Sequence, residues 1–226
     1  MSSWNQLGEW WKAELSSDPA YEEVVTPLLL EVLQPQPGSV YLDLGCGDGR
    51  VMAKVSTAGA SPVGVEMAPD LARLASEKAP TVIDVLPDLK SIRSQSVDGA
   101  YSVLVLEHLP ETADFFEGIA RVVRPGGVFG LVINHPAWTA PGSTPITEED
   151  GETLWRPGDY FTSGGASEEP AGDSTVTFYH RTTADLLNDA AAAGWSLERM
   201  IERPHHELED QAGIPRLMAC RWQLLP

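Results

Sequence analysis

Apolar positions along the chain follow two alternating periods. Residues 39–44, 62–66, 81–85, 99–106 and 127–134 are short runs rich in Val, Leu and Ile, each bounded by Gly, Pro or Asp. Runs of this length with apolar residues on both faces are the pattern of strands buried in a parallel sheet. Between them, residues 49–57, 69–79 and 112–123 repeat apolar side chains every three or four positions, which predicts helices. The alternation predicts a parallel sheet covered on both faces. Right-handed crossovers then put any ligand at the carboxyl ends of the strands, near the switch point after the first. Ahead of this core, Trp4, Leu7, Trp10, Trp11 and Leu15 lie at helical spacing, Asp18-Pro19 interrupts, and a second helix is predicted over 20–33, closed by Pro35 and Pro37. Behind it, 182–193 reads as a helix capped by Gly194. Residues 195–202 and 216–225 read as a final antiparallel hairpin with a long loop at 203–214.

Residues 135–175 break the rhythm with Pro, Gly, Ser and acidic residues. A loop of this length is a functional lid or a disordered segment. Trp138, Trp155, Tyr160 and Phe161 favour an ordered insertion facing a substrate, because large rings supply apolar contact and Trp and Tyr keep a polar handle. A short strand is expected at 175–180.

Composition narrows the classes. The 226 residues suffice for one domain spanning 1–226: a helical cap (1–37), a ligand-binding core (38–134), the insertion (135–175) and the C-terminal helix and strands (176–226). Hydrophobic and charged contents of 42% and 21% are those of an ordinary globular protein. Two cysteines, Cys46 and Cys220, suit a reduced, cytoplasmic setting better than a disulfide scaffold. No signal-peptide pattern is visible, and the longest purely apolar run, 103–106, falls far short of a membrane span. A net charge of −18 disfavours nucleic acid as a partner. His205-His206 beside Glu207 lacks the spacing of a zinc site, so no metal is expected. Walker and G-x-S-x-G motifs are absent.

The chemistry concentrates in residues 40–50, Val-Tyr-Leu-Asp-Leu-Gly-Cys-Gly-Asp-Gly-Arg. A predicted strand runs into Gly45, Gly47 and Gly49, and a helix follows. Glycines at such a turn let the backbone bend sharply and let a ligand lie against it. Asp43 and Asp48 would repel a dinucleotide pyrophosphate, and the third glycine comes one residue early for G-x-G-x-x-G. An acidic glycine loop suits a nucleoside with cationic groups. Cys46 is either a small residue filling the loop or a nucleophile.

This loop resembles that of the Rossmann-like, class I S-adenosylmethionine-dependent methyltransferases. So do Val63-Gly64-Val65-Glu66, Val103-Leu104-Val105-Leu106-Glu107-His108-Leu109 and Arg121-Val122-Val123-Arg124-Pro125-Gly126-Gly127, in the family's order. The resemblance covers about residues 38–134. It implies a doubly wound, mostly parallel seven-stranded sheet with an antiparallel C-terminal hairpin, an N-terminal helical cap and an insertion after strand five. The implied cofactor is S-adenosyl-L-methionine, leaving S-adenosyl-L-homocysteine. The implied reaction is in-line methyl transfer to a small-molecule acceptor, oxygen, nitrogen or carbon. A non-catalytic cofactor-binding protein and a nucleotide-cofactor oxidoreductase are the alternatives.

Glu66 ends the second strand, where a carboxylate matches a ribose diol; the plain alternative is a solvated acid. Met67 would pack on adenine. Asp84 would accept from the adenine amino group, with Asp88 as its rival and a helix cap as the bland reading. Tyr21, Asp43, Gly45, Cys46, Gly47, Gly49 and Leu106 complete the expected cofactor set. His108, after strand four, is either a general base or a structural residue of the Glu-His-Leu turn. His135 and His180 bracket the insertion as further candidate bases, and Arg181 is a candidate for binding the acceptor.

Overall fold

A computed structural model of the chain describes Trp4, Leu7 and residues 19–163, 166–171, 174–204 and 213–226. Its central sheet has seven strands in the order β10-β11-β5-β4-β1-β2-β3. The first, β1 (Val40–Leu44), pairs in parallel with β2 (Ser61–Glu66) on one side and β4 (Val97–Val103) on the other. Parallel pairing continues outward from β2 to β3 (Thr81–Ile83) and from β4 to β5 (Val123–Asn134). Beyond β5 the direction reverses: β11 (Pro215–Leu224) is antiparallel to both β5 and β10 (Trp195–Pro204). The chain therefore leaves β1 in one direction and returns through β4 in the other, and the crevice between β1 and β4 is the switch point.

Alternate residues of the strands feed two cores. Leu42, Leu44 and Ala100 pack with α4 (Thr112–Val122) and α6 (Thr183–Ala192) on one face. Tyr41, Tyr101 and Val103 pack with α1 (Thr26–Leu33) and α2 (Arg50–Thr57) on the other. The first core is built on rings. Phe129 stacks on Trp222 at 5.7 Å between centroids, and Phe116 and Trp195 close around them. The Trp195 indole N–H is satisfied by the Phe116 carbonyl at 3.1 Å, so its burial strands no donor. α1 is opened by a π-helical turn, Tyr21–Val25, and α3 (Pro69–Ser76) links β2 to β3.

Two strands end earlier than expected, both at the ligand-binding edge. The run 99–106 stops as strand at Val103, because Leu104 takes a left-handed backbone (φ +54°) that lifts the chain out of the sheet into a 3₁₀ turn, Leu106–His108. β3 stops at Ile83, where the Asp84 carboxylate accepts from the amides of Val85 and Ser91 and bends the chain.

The insertion departs further from the expected loop. After a short helix α5 (Pro136–Thr139), it forms two antiparallel hairpins, β6 (Thr144–Thr147) with β7 (Thr153–Arg156) and β8 (Ala166–Ala171) with β9 (Ser174–Tyr179). Thr, Ile and Trp at 144–147 and 153–156 are good strand formers, but Pro, Gly and acidic neighbours mask them in a linear reading. His205-His206 lies outside the described residues. No helix among the described residues is long and apolar enough to cross a membrane.

Candidate functional site

A cavity of about 890 Å³, open mouth included, sits at the carboxyl ends of β1, β2 and β4. Its floor is the turn after β1. Gly45 adopts φ +76°, and a Cβ there would come within 2.6 Å of a Val105 methyl, so no other residue fits. Gly49 (φ +81°) lies under the loop rather than on it. Its missing side chain lets α2 approach Ala75 of α3, where a Cβ would meet Ala75 Cα at 3.0 Å.

Five of the six backbone donors from Gly45 to Arg50 are spent within the protein. Gly45 and Cys46 amides both donate to the Val65 carbonyl, at 2.9 and 3.1 Å. The Gly47 amide donates to Glu66 Oε2 at 3.0 Å, the Gly49 amide to the Cys46 carbonyl at 2.9 Å, and the Arg50 amide to Asp48 Oδ1 at 3.1 Å. A pyrophosphate needs such donors aimed at it, and here they point elsewhere. The two aspartates differ in role. Asp48 is neutralised by Arg50 at 3.1 Å and Lys78 at 3.5 Å. Burial alone would raise its pKa, but those cations outweigh it and hold the carboxyl below its ordinary range. The expectation that Asp48 repels anions therefore gives way; the spent amides and the other acids carry that discrimination.

Asp43 is that other acid. It is 2% exposed and faces the cavity, and its Oδ2 has no hydrogen-bond partner in the protein. Burial pushes its pKa up to about 8; the Tyr101 hydroxyl beside it works the other way, while Glu66 and Asp48 add to the rise. A buried carboxylate with an open lone pair is a socket for a cation or a strong donor. Glu66 forms the rim. Its Oε2 accepts from Gly47 and its Oε1 from the Ala68 amide at 2.8 Å, which fixes the carboxylate and leaves each oxygen a second lone pair for a diol. Burial raises its pKa against the lowering by the amides of Ala68, Gly47 and Met67.

Of the expected cofactor residues, Tyr21, Asp43, Gly45, Cys46, Gly47, Glu66, Met67 and Asp84 line the cavity. Asp88 instead pairs with Lys90 on the surface, at 2.6 Å. Burial, with Asp43 and Glu66 nearby, pushes the Cys46 thiol up, so it holds its proton and serves as packing rather than as a nucleophile. Leu106 is fully buried and contributes to the site only through its carbonyl, described below.

The three candidate bases separate cleanly. His108 lines the cavity. His135 does not: its Nε2 meets Glu202 Oε1 at 2.8 Å and its Nδ1 accepts from the Ala137 amide at 3.0 Å, capping α5. Burial lowers its pKa, against the pull of Glu202. His180 is 3% exposed, and its Nε2 donates to the Tyr160 carbonyl at 2.8 Å. Among the insertion aromatics, Trp138 stacks on Trp155 at 3.9 Å, with the Arg216 guanidinium 4.9 Å from the Trp138 ring. The Tyr160 hydroxyl accepts from the Thr183 amide at 2.9 Å, and Phe161 is 87% exposed. None of these four lines the cavity, nor does Arg181, whose guanidinium is spent on two carbonyls.

The reading of the sequence missed two groups. Trp4 lines the cavity from the segment expected as a helical cap, although the sequence pattern singles out no residue of that segment before Tyr21 for the site. Leu104, Val105 and Leu109 line it because of the left-handed turn at Leu104, for which the apolar run carried no signal.

Residues 42–131 match the family model described as a methyltransferase domain. A protein of Hahella chejuensis named ubiquinone biosynthesis O-methyltransferase is 32% identical over 136 residues, 55% of this chain and 56% of that protein. One of the same name from Sodalis glossinidius is 29% identical over 143 residues, 57% of each. The chain thus spans little more than half the length of these relatives. A solved S-adenosylmethionine dependent methyltransferase from Mesorhizobium loti superposes with a TM-score of 0.77 at 22% identity, covering 92% of this chain and 99% of that one. At that identity the likeness speaks for the fold.

Proposed function

We propose that the chain, whose residues 42–131 match a methyltransferase-domain model, is a Rossmann-like, class I S-adenosylmethionine-dependent methyltransferase that binds S-adenosylmethionine and passes its methyl group to a small-molecule acceptor by in-line displacement. The observation that carries the reading is the buried Asp43 with its unpartnered Oδ2, set beside a turn that spends five of its six amides internally. That combination accepts a cationic nucleoside and refuses a pyrophosphate. In this reading Asp43 receives the ammonium, Glu66 the ribose diol and Asp84 the adenine amino group, while Met67 and Leu71 flank the base. The bound cofactor supplies a methyl already activated by a sulfonium. The chain's task is to hold the two reactants in line, worth about 7–11 kcal/mol of barrier. A small-molecule acceptor is supported by the relatives named for ubiquinone biosynthesis and by the net charge of −18, which works against a nucleic acid.

Titration calorimetry with S-adenosylhomocysteine and with NAD tests the reading. S-adenosylhomocysteine should bind with one site per chain and NAD should give no heat. Tight NAD binding with silence toward S-adenosylhomocysteine would overturn it.

A further inference from the structure

His108 is the one candidate histidine that lines the cavity, and its ring is held in place there. Its Nδ1 lies 3.0 Å from the Thr177 carbonyl. A carbonyl oxygen only accepts, so Nδ1 carries the hydrogen, and in the neutral ring Nε2 keeps its lone pair. The ring is fixed between two others: Trp4 edge-on at 4.9 Å and Phe178 at 4.7 Å. The turn beneath it is fastened as well. Arg181 donates to the carbonyls of Leu106 at 2.7 Å and Leu109 at 2.5 Å, the residues on either side of His108 in the 3₁₀ turn. Among the charged groups nearest the turn, Glu107 accepts from the Asn134 side-chain amide at 2.9 Å through Oε1 while its buried Oε2 has no partner, and Arg181 is spent on those two carbonyls; Thr177, Trp4 and Phe178 bring no titratable group. Position, tautomer and ring orientation of His108 are thus set by three separate elements, at the wall of the cavity that holds Asp43 and Glu66. Packing alone does not require that convergence.

We propose that His108 Nε2 is the proton acceptor for the incoming nucleophile, and that the nucleophile is therefore a hydroxyl on an uncharged acceptor. The inference rests on the methyltransferase reading. A hydroxyl gains nucleophilicity by losing its proton as it attacks, whereas a neutral amine attacks with its own lone pair and needs no base in that step. In the step, the acceptor oxygen forms a bond to the methyl carbon while the carbon–sulfur bond breaks with its electron pair left on sulfur. The hydroxyl proton passes to Nε2 and leaves later to solvent. Lining by Trp4, Leu104, Val105 and Leu109 suits an apolar or aromatic body for that acceptor, and the arginine among the lining residues, Arg50, is engaged with Asp48.

His108→Asn separates the roles, because an asparagine amide can still donate to the Thr177 carbonyl but has no basic nitrogen. With methyl-labelled cofactor and catechol as probe, the variant should keep its calorimetric affinity for S-adenosylhomocysteine and its KM for catechol, and lose about 10²- to 10⁴-fold in kcat. Long-range ¹H–¹⁵N correlation on the wild type should show a protonated Nδ1 and a bare Nε2. A variant with unchanged kcat makes His108 a positioning residue and overturns the proposal, as does the opposite tautomer. Labelling of o-phenylenediamine but not catechol, or of neither while S-adenosylhomocysteine binds, overturns the hydroxyl assignment. Failure to bind S-adenosylhomocysteine at all is a different result, since it removes the methyltransferase reading itself.

Discussion

Asp43 and Glu66 are the residues on which the cofactor reading turns, and both make quantitative demands. In the unfolded chain an aspartate titrates near 3.8, and in the folded protein burial lifts Asp43 to about 8. Between those values the folded state holds a proton that the unfolded state lacks. The ligand-free protein therefore draws stability from this group at low pH and loses it progressively as pH rises from about 4 to about 8. Cofactor binding has the opposite sign. An ammonium seated on Oδ2 requires the ionised form, so binding expels a proton and tightens with pH up to about 8, by at most tenfold per unit. We expect the dissociation constant for S-adenosylhomocysteine to fall between pH 6 and pH 8, with buffer-dependent heats that report proton release, and Asp43→Asn to flatten the dependence. A pH-independent wild-type affinity would place the ammonium elsewhere. Glu66→Ala removes a charged acceptor from the diol and should weaken binding by about 1.5–3 kcal/mol while the protein stays folded. An unchanged constant in the folded variant would make Glu66 a brace for Gly47 and Ala68 only. The positions of both acids were legible in the chain, since each ends a predicted strand. The spent amides and the pairing of Asp48 with Arg50 and Lys78 were not, because they depend on distances no spacing rule encodes.

At the scale of elements, the turn Leu106–His108 depends on a side chain 72 to 75 positions away in sequence. Arg181 sits just before α6, is 8% exposed, and donates to the Leu109 carbonyl just past the turn and to the Leu106 carbonyl, which also accepts from the Leu109 amide at 3.1 Å. Losing a hydrogen bond from a charged donor costs about 1.5–3 kcal/mol, and Arg181→Ala loses two. We expect a lower urea midpoint with an unchanged slope, and a larger fall in methyl transfer than in S-adenosylhomocysteine affinity, because the variant frees the turn under His108 and not the one under the cofactor. Equal stability would mean that water satisfies both carbonyls. The sequence pointed to Arg181 as an acceptor ligand because a cation after an insertion looks available; only the folded arrangement shows its charge already used. The sheet was legible for a different reason. Its strands are buried on both faces, so apolar content alone marked them, and their glycine and proline boundaries marked the ends. The hairpins of 144–156 and 166–179 were not, since exposed strands such as β6, and β7 with only alternate residues partly buried, carry no apolar run.

Over the whole molecule, charge is the least balanced quantity. There are 33 acidic side chains against 15 lysines and arginines, so one-to-one pairing leaves 18 carboxylates without a cation. Two of the cations converge on a single carboxylate: Arg199 and Arg203 both reach Glu31, at 2.8 Å each. Exposed pairs of this kind contribute little individually, whereas like-charge repulsion over a compact surface acts against folding and is screened by salt within a Debye length of about 10 Å at 0.1 M. Repulsion should therefore outweigh attraction in the balance. Thermal melts at pH 7.5 in 10 mM and 500 mM sodium chloride should show a higher midpoint at high salt. A gain near 1 kcal/mol would appear as about 2–4 °C for a chain of this size. Sodium chloride suits the comparison because neither ion is strongly excluded from apolar surface. The same screening should leave S-adenosylhomocysteine affinity nearly constant, because Asp43 and Glu66 meet their ligand inside a cavity where salt screens poorly. A midpoint that falls with salt would mean that the arranged pairs, few as they are, outweigh the excess. An affinity that drops steeply with salt would mean that the diffuse surface field, rather than the two buried carboxylates, attracts the cofactor.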